Sequence, residues 1–245
     1  MKSLLRASAS HKIHKGDFNI DINFPGLALT NSADKRGLAQ LGRFDRGRLK
    51  PGVFVAMHPH VNDEILSYIR KGDLVHEDTE GDKTTVTNTK IMMMNAGAGI
   101  YHQESIGDNG QDVDMLQIFM RPAVSGLKPR VQFYDFENAY SINEWRTIAG
   151  PSHQNVPLEI NSELSVYDAR LQNQSLALLN QIEKTYVLYV FEGKVNVEGI
   201  ALLTGDLMVY QDENMRISAN GTADMVLFEL DLKATYTREG MYSGV

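Results

Sequence analysis

Two short runs, His58-Pro59-His60 and His102-Gln103-Glu104, place residue types that bind metals two positions apart. Two-residue spacing is strand spacing. Side chains alternate faces along a β-strand, so His58 and His60 point the same way about 6 to 7 Å apart, with Pro59 on the opposite face. His102 and Glu104 repeat that geometry, and the chain between them is long enough to leave through hairpins and return beside its start. Three imidazoles and one carboxylate then converge. Neutral imidazole suits iron, copper, nickel and zinc, and a carboxylate extends the set to manganese. Four protein ligands in an octahedral sphere leave positions for water, dioxygen or substrate, an arrangement made for chemistry rather than for a structural clip.

A lone His-x-His is often a pair of solvated side chains. Here the pair follows Gly52 and Phe54-Val55, precedes the apolar Ile65-Leu66 and Tyr68-Ile69 ending at Gly72, and faces a second glycine-rich turn, Gly97-Ala98-Gly99-Ile100, that leads into His-x-Glu.

The strands that must carry these ligands are visible as short apolar runs divided by Gly, Asn and Asp turns, the pattern of an all-β barrel or sandwich. One set is expected near 53–55, 65–69, 73–77, 84–87, 91–94 and 115–120, and a second near 167–171, 187–191, 194–197, 207–210, 215–218 and 224–230. The sets repeat weakly: Tyr68-Ile69-Arg70-Lys71-Gly72 returns as Tyr189-Val190-Phe191-Glu192-Gly193. That offset carries His58 to Leu179 and His60 to Gln181, and no histidine follows His153. A second three-histidine site is therefore excluded.

The residues resemble the pirin family of the cupin superfamily. The first cupin motif is matched by Gly52, His58, His60, Glu64 and Gly72, and the second by Gly97, Gly99 and His102. His58-Pro59-His60, His76-Glu77-Asp78 with Gly81, and the run from Ala96 into His102-x-Glu104 carry the pirin flavour. Gln117-Ile118-Phe119, Pro129-Arg130-Val131-Gln132, Asp212-Glu213 and Leu227-Phe228-Glu229-Leu230 extend the likeness over nearly the whole chain.

The resemblance implies an all-β bicupin: two tandem jelly-roll-like β-barrels, with a metal-binding cupin over 1–140, a partly helical linker over 141–160 and a metal-free cupin over 161–245. It also implies one divalent transition metal held by His58, His60, His102 and Glu104. Iron is the expected metal, with manganese, nickel, copper or zinc as alternatives. The activity implied is that of quercetin 2,3-dioxygenase, joining dioxygen to a small aromatic or enolic substrate with Glu104 as its base. The alternative is a metal- and redox-dependent regulatory module that binds a protein partner. Many pirins carry a basic residue after the second histidine, whereas this chain has Val61-Asn62-Asp63, which puts an anionic substrate in doubt. Glu64 is expected near the metal as an outer-shell or substrate-facing group.

The absence of cysteine excludes disulfides, thiolate metal sites and a cysteine nucleophile. Lys and Arg total 24 against 31 Asp and Glu, a net charge of −7 that argues against direct binding to nucleic acid. Residues 1–16 lack the apolar core of a signal peptide, and no stretch reaches the roughly 20 apolar residues of a membrane span, so a cytoplasmic protein is expected. Ser141-Ile142-Asn143-Glu144 reads as a helix-capping box, residues 234–245 as a frayed tail, and Met92-Met93-Met94 as core filler. His76 is expected to act structurally or behind the ligands, while His11, His14 and His153 read as solvated.

Overall fold

The computed structural model describes residues 1–29 and 36–245. Among them the regular elements are β-strands and three short 3-10 turns, and no helix is long and apolar enough to cross a membrane.

The first half is a pair of facing sheets. A seven-stranded sheet runs in the order Arg130–Asp135, Lys90–Asn95, Glu64–Lys71, Val113–Met120, Leu41–Leu49, Phe18–Asn23, His11–Lys15. Against it lies a four-stranded sheet ordered Phe54–His60, Ile100–Ser105, Leu74–Asp78, Lys83–Val86. Leu49, Ile69 and Met115 from the larger sheet meet Leu74 and Val86 from the smaller to form the core between them. The second half repeats the plan. Its seven-stranded sheet contains Thr185–Glu192, Thr222–Leu230 and Leu164–Gln172, and its four-stranded sheet contains Lys194–Val197 and Arg216–Ser218. The repeat offset holds at strand level, since Glu64–Lys71 and Thr185–Glu192 have the same length and each is third of seven in its sheet. Each half is thus a sandwich of two open sheets rather than the closed barrel expected.

The two large sheets pack back to back, and the largest apolar cluster lies between them. Phe44 sits at its centre, edge-on to Tyr189 (4.9 Å between ring centroids) and stacked on Phe228 (5.4 Å). Both ends of the described chain cross between halves. Strand Lys2–Leu5 pairs with Leu207–Gln211 in the second half, and residues 237–245 return to the first.

Three further expectations are corrected. The capping box forms no α-helix: Ser141 Oγ donates to Glu144 O at 3.0 Å in a bend, and Arg146–Pro151 then enters the second large sheet as a strand. Its apolar residues Ile148 and Ala149 are buried there, so sheet pairing overrides the local capping signal. The final residues are not frayed, because Ser243 is fully buried against the first half. Glu64 does not approach the ligands. The stretch 61–63, with Asn62 in the left-handed region (φ 54), separates the strand ending at His60 from the one starting at Glu64, so spacing along one strand no longer applies. Glu64 instead ties the halves together, accepting from Asn95 Nδ2 and Asn161 N, each at 2.8 Å. Met92, Met93 and Met94 are fully buried core residues.

Candidate metal centre

Strand register builds the site. Ile100–Ser105 runs antiparallel to Phe54–His60, with His102 directly opposite His58 and Ile100 opposite His60. Between His102 and Glu104 the register slips by one residue, so that Glu104 faces Val55. On its other edge the same strand sets His102 opposite Asp78 and Glu104 opposite His76. Alternation then turns His58, His60, His76, Asp78, His102 and Glu104 to one face of the small sheet, into the sandwich.

The histidines His58, His60 and His102 come together with one ligand atom of each within 4.8 Å of the others. Their ring centroids lie 4.4 to 5.0 Å apart. Glu104 falls in a second, overlapping group with His102 and His76. His11 and His14 lie on an exposed strand and His153 on an exposed 3-10 turn, all away from this centre.

Hydrogen bonds fix how each ring faces. His58 Nδ1 lies 2.9 Å from Ala56 O, a carbonyl that can only accept, so Nδ1 carries the proton. His60 Nδ1 lies 3.3 Å from Asp63 Oδ2 and donates to that carboxylate. Behind His102 stands a relay. Its Nδ1 is 3.3 Å from His76 Nδ1, and His76 Nε2 is 2.7 Å from Asp78 Oδ2. Asp78 Oδ1 accepts from the backbone N–H groups of Glu80, Gly81 and Asp82. A neutral His76 that donates through Nε2 to Asp78 accepts at Nδ1, and His102 Nδ1 is then the donor. Each of the three rings has then spent its Nδ1 on an acceptor, leaving a bare Nε2.

Two of those Nε2 atoms, on His58 and His102, approach to 3.0 Å. Bare nitrogen lone pairs at that distance repel unless a cation lies between them. Burial and the neighbouring imidazoles push the His102 proton affinity down to about 2, and burial lowers His58 in the same direction, so both rings are neutral and free to ligate. Glu104 moves the other way: burial raises its carboxyl to about 7, against the pull of Gln117 Nε2, which donates to both of its oxygens at 3.1 and 3.3 Å. The donor set fits a borderline divalent transition metal.

A cavity of about 340 Å³ opens beside His58, His60 and Glu104. Phe18, Ile20, Leu49, Val55 and Met115 supply apolar walls. Its polar features are Arg43, Asp45 and Gln117, residues to which the sequence reading gave no role at the site. Arg43 Nη2 donates to Asp45 Oδ2 at 2.9 Å, and its guanidinium lies 4.8 Å from the Phe119 ring and 4.9 Å from the Tyr242 ring. Burial lifts the Asp45 carboxyl to about 7 even with Arg43 beside it. Arg43-x-Asp45 at strand spacing was the available signal.

Two family models match the chain: pirin over residues 33–120 and the quercetinase C-terminal cupin domain over residues 147–230. Quercetin 2,3-dioxygenase of Escherichia coli is 25% identical over 184 residues, covering 74% of this chain and 78% of that protein. A Zymomonas mobilis relative that bears the same name provisionally is 30% identical over 183 residues, covering 74% of this chain and 77% of its own. Among solved structures, the bacterial pirin YhhW of Escherichia coli in complex with nickel(II) superposes with a TM-score of 0.81 at 23% identity, covering 94% of this chain and 99% of that one.

Proposed function

Because this chain belongs to the pirin family of cupins, we propose that it is a cytoplasmic, metal-dependent dioxygenase of the quercetin 2,3-dioxygenase type, with His58, His60, His102 and Glu104 holding one divalent transition metal. The observation that carries this reading is the approach of two bare imidazole nitrogens, His58 Nε2 and His102 Nε2, to 3.0 Å with every Nδ1 already committed. Iron is the first choice of metal, and the YhhW complex makes nickel a second. When bound, the metal supplies a Lewis-acid and redox centre at which an enolic oxygen and dioxygen can meet.

The chain's own groups do the rest. Glu104, with its carboxyl near 7, is poised to accept the proton of a substrate hydroxyl at neutral pH. Gln117 donates to both Glu104 oxygens and so holds the carboxylate plane. Phe119 and the apolar walls take a flat ring and exclude water from it, while Arg43 offers a cation to an electron-rich edge. The division into a metal-bearing first cupin and a metal-free second one, whose large sheet braces the first, belongs to the same reading.

Loading the purified protein separately with iron(II), nickel(II), manganese(II) and copper(II), and following oxygen uptake with quercetin, tests the proposal. About one metal per chain and flavonol-dependent oxygen consumption are expected. Confirmed occupancy without oxygen uptake for all four metals overturns the dioxygenase reading. Exposed Phe54, Met57 and Tyr101 on the two strands that carry the ligands favour a second reading, a regulatory module that docks a protein beside the metal. The cavity beside His58, His60 and Glu104 gives the enzyme precedence.

A further inference from the structure

One wall of the cavity comes from far along the sequence. After the last strand of the second half the chain returns to the first, where Thr237 N donates to Pro122 O at 2.9 Å and Met241 N to Val61 O at 3.1 Å. Fully buried Asp63 receives it: Oδ1 accepts from Ser243 N and Ser243 Oγ, each at 2.8 Å, and from Tyr242 N at 3.1 Å. Arg121, also fully buried, donates to Ser243 O and Val245 O, both at 2.6 Å. The Tyr242 ring lies 5.0 Å from His60 and 5.4 Å from Phe119. The fit is close, since a Cβ on Gly240 would come within 2.5 Å of Asp63 Oδ1 and within 2.0 Å of Ser243 Oγ.

Asp63 is also the partner of His60 Nδ1, through Oδ2. The strap's two backbone N–H groups and its hydroxyl take Oδ1, which leaves Oδ2 as the acceptor facing His60, and in that arrangement His60 donates through Nδ1 and keeps Nε2 bare. We propose that residues 237–245 form a strap that locks Asp63, and that Asp63 is the positioning residue that fixes which nitrogen of His60 carries its proton and which faces the cavity. This rests on the metal-centre reading for its purpose, although the proton position itself can be read without metal. No change of net charge is involved. The strap's contribution is rotational: with three of its donors on Oδ1, Asp63 cannot turn away from His60.

Asp63→Asn provides an isosteric test. The strap's N–H groups hold the amide oxygen, the NH2 group faces His60 Nδ1, and the ring must shift its proton to Nε2. In metal-free protein, nitrogen-15 NMR of the imidazoles should place the His60 proton on Nδ1 in the wild type and on Nε2 in Asp63→Asn. Nickel(II) affinity, measured by competition with a chelator, should fall by about 10- to 100-fold. Gly240→Ala, which displaces the strap without touching His60, should weaken nickel binding in the same direction and give a mixture of the two His60 tautomers. A wild-type His60 protonated on Nε2, or an unshifted proton in Asp63→Asn, overturns the proposal whatever the metal does. Should Asp63→Asn fail to fold, the wild-type spectrum and Gly240→Ala decide. If the wild type binds no nickel, iron, manganese or copper, the metal-centre reading fails, while the tautomer result still stands or falls by itself.

Discussion

The Nδ1 of His102 lies 3.3 Å from the Nδ1 of His76, and a proton carried by His102 at this contact leaves its Nε2 bare. The relay ends at Asp78, whose Oδ1 is held by three backbone N–H groups. Asp78→Asn keeps the shape and inverts the polarity: the amide oxygen stays with the loop and the NH2 group donates to His76 Nε2. His76 must then donate through Nδ1, which puts the His102 proton on Nε2. Nickel affinity, read by chelator competition, should drop about 10- to 100-fold with little change in folding. An unchanged affinity would show that the relay does not set the His102 tautomer.

Glu104 gives the metal-free protein a pH dependence of definite sign. Its folded carboxyl titrates near 7, above the ordinary 4.5, so folding favours the protonated form. Its contribution to stability is fully present below about pH 4.5 and is lost as pH rises through about 7. The span corresponds to a loss on the order of 3 kcal/mol. Glu104→Gln should remove that slope, so urea midpoints of wild type and variant should diverge between pH 5 and 7.5 in favour of the variant. If Glu104 ligates the metal as proposed, binding reverses the sign, because a bound carboxylate must be ionised, and wild-type nickel affinity should then weaken as pH falls below about 7. Parallel urea curves for the two metal-free proteins would contradict the raised carboxyl.

Asp168 is the buried hinge of the contact between halves. From the second half it accepts from Tyr68 Oη at 2.7 Å and Arg70 Nη2 at 2.9 Å in the first, and from Arg146 Nη2 at 2.7 Å. Asp168→Ala leaves a buried phenol and two guanidinium groups without their common acceptor. The expected loss is about 3 to 5 kcal/mol, seen as a lower urea midpoint. A loss below about 1 kcal/mol would mean that water replaces the carboxylate.

The strands around the ligands could be read from sequence because they are apolar runs closed by turns, and the histidines because their spacing matched the strand period. Leu41–Leu49 was missed for the opposite reason. Arg43, Asp45, Arg46 and Arg48 interrupt its apolar pattern, yet it lies inside its sheet and carries Arg43 and Asp45 of the cavity lining. Charges that look solvated in sequence are placed here by tertiary pairing: Arg46 with Asp114 at 2.7 Å, Arg48 with Asp21 at 2.7 Å. The strap was illegible because Asp63 and Ser243 meet only through folding, and no periodicity links them. Glu64 misled because a regular strand was extended through 61–63, where the chain turns.

The turn before His102 depends on Gly97, which has a positive φ of 49 and whose added Cβ would stand 2.1 Å from Leu127 O. That approach is fixed on both sides, since Ala98 N donates to Leu127 O at 2.7 Å and Asn62 N donates to Gly97 O at 2.8 Å. Gly97→Ala therefore cannot be absorbed by rotating a side chain, and either the Leu127 loop or the turn itself must move. The conformation alone costs on the order of 1 kcal/mol, with the backbone clash added to it. Since the same turn carries Ile100, opposite His60, into the ligand strand, stability and metal affinity should fall together. Gly126→Ala provides the comparison: it also has a positive φ, 71, but meets nothing within 4 Å. It should lose a similar conformational increment in urea while keeping nickel affinity. Equal nickel affinities for Gly97→Ala and Gly126→Ala would show that the turn does not position His102.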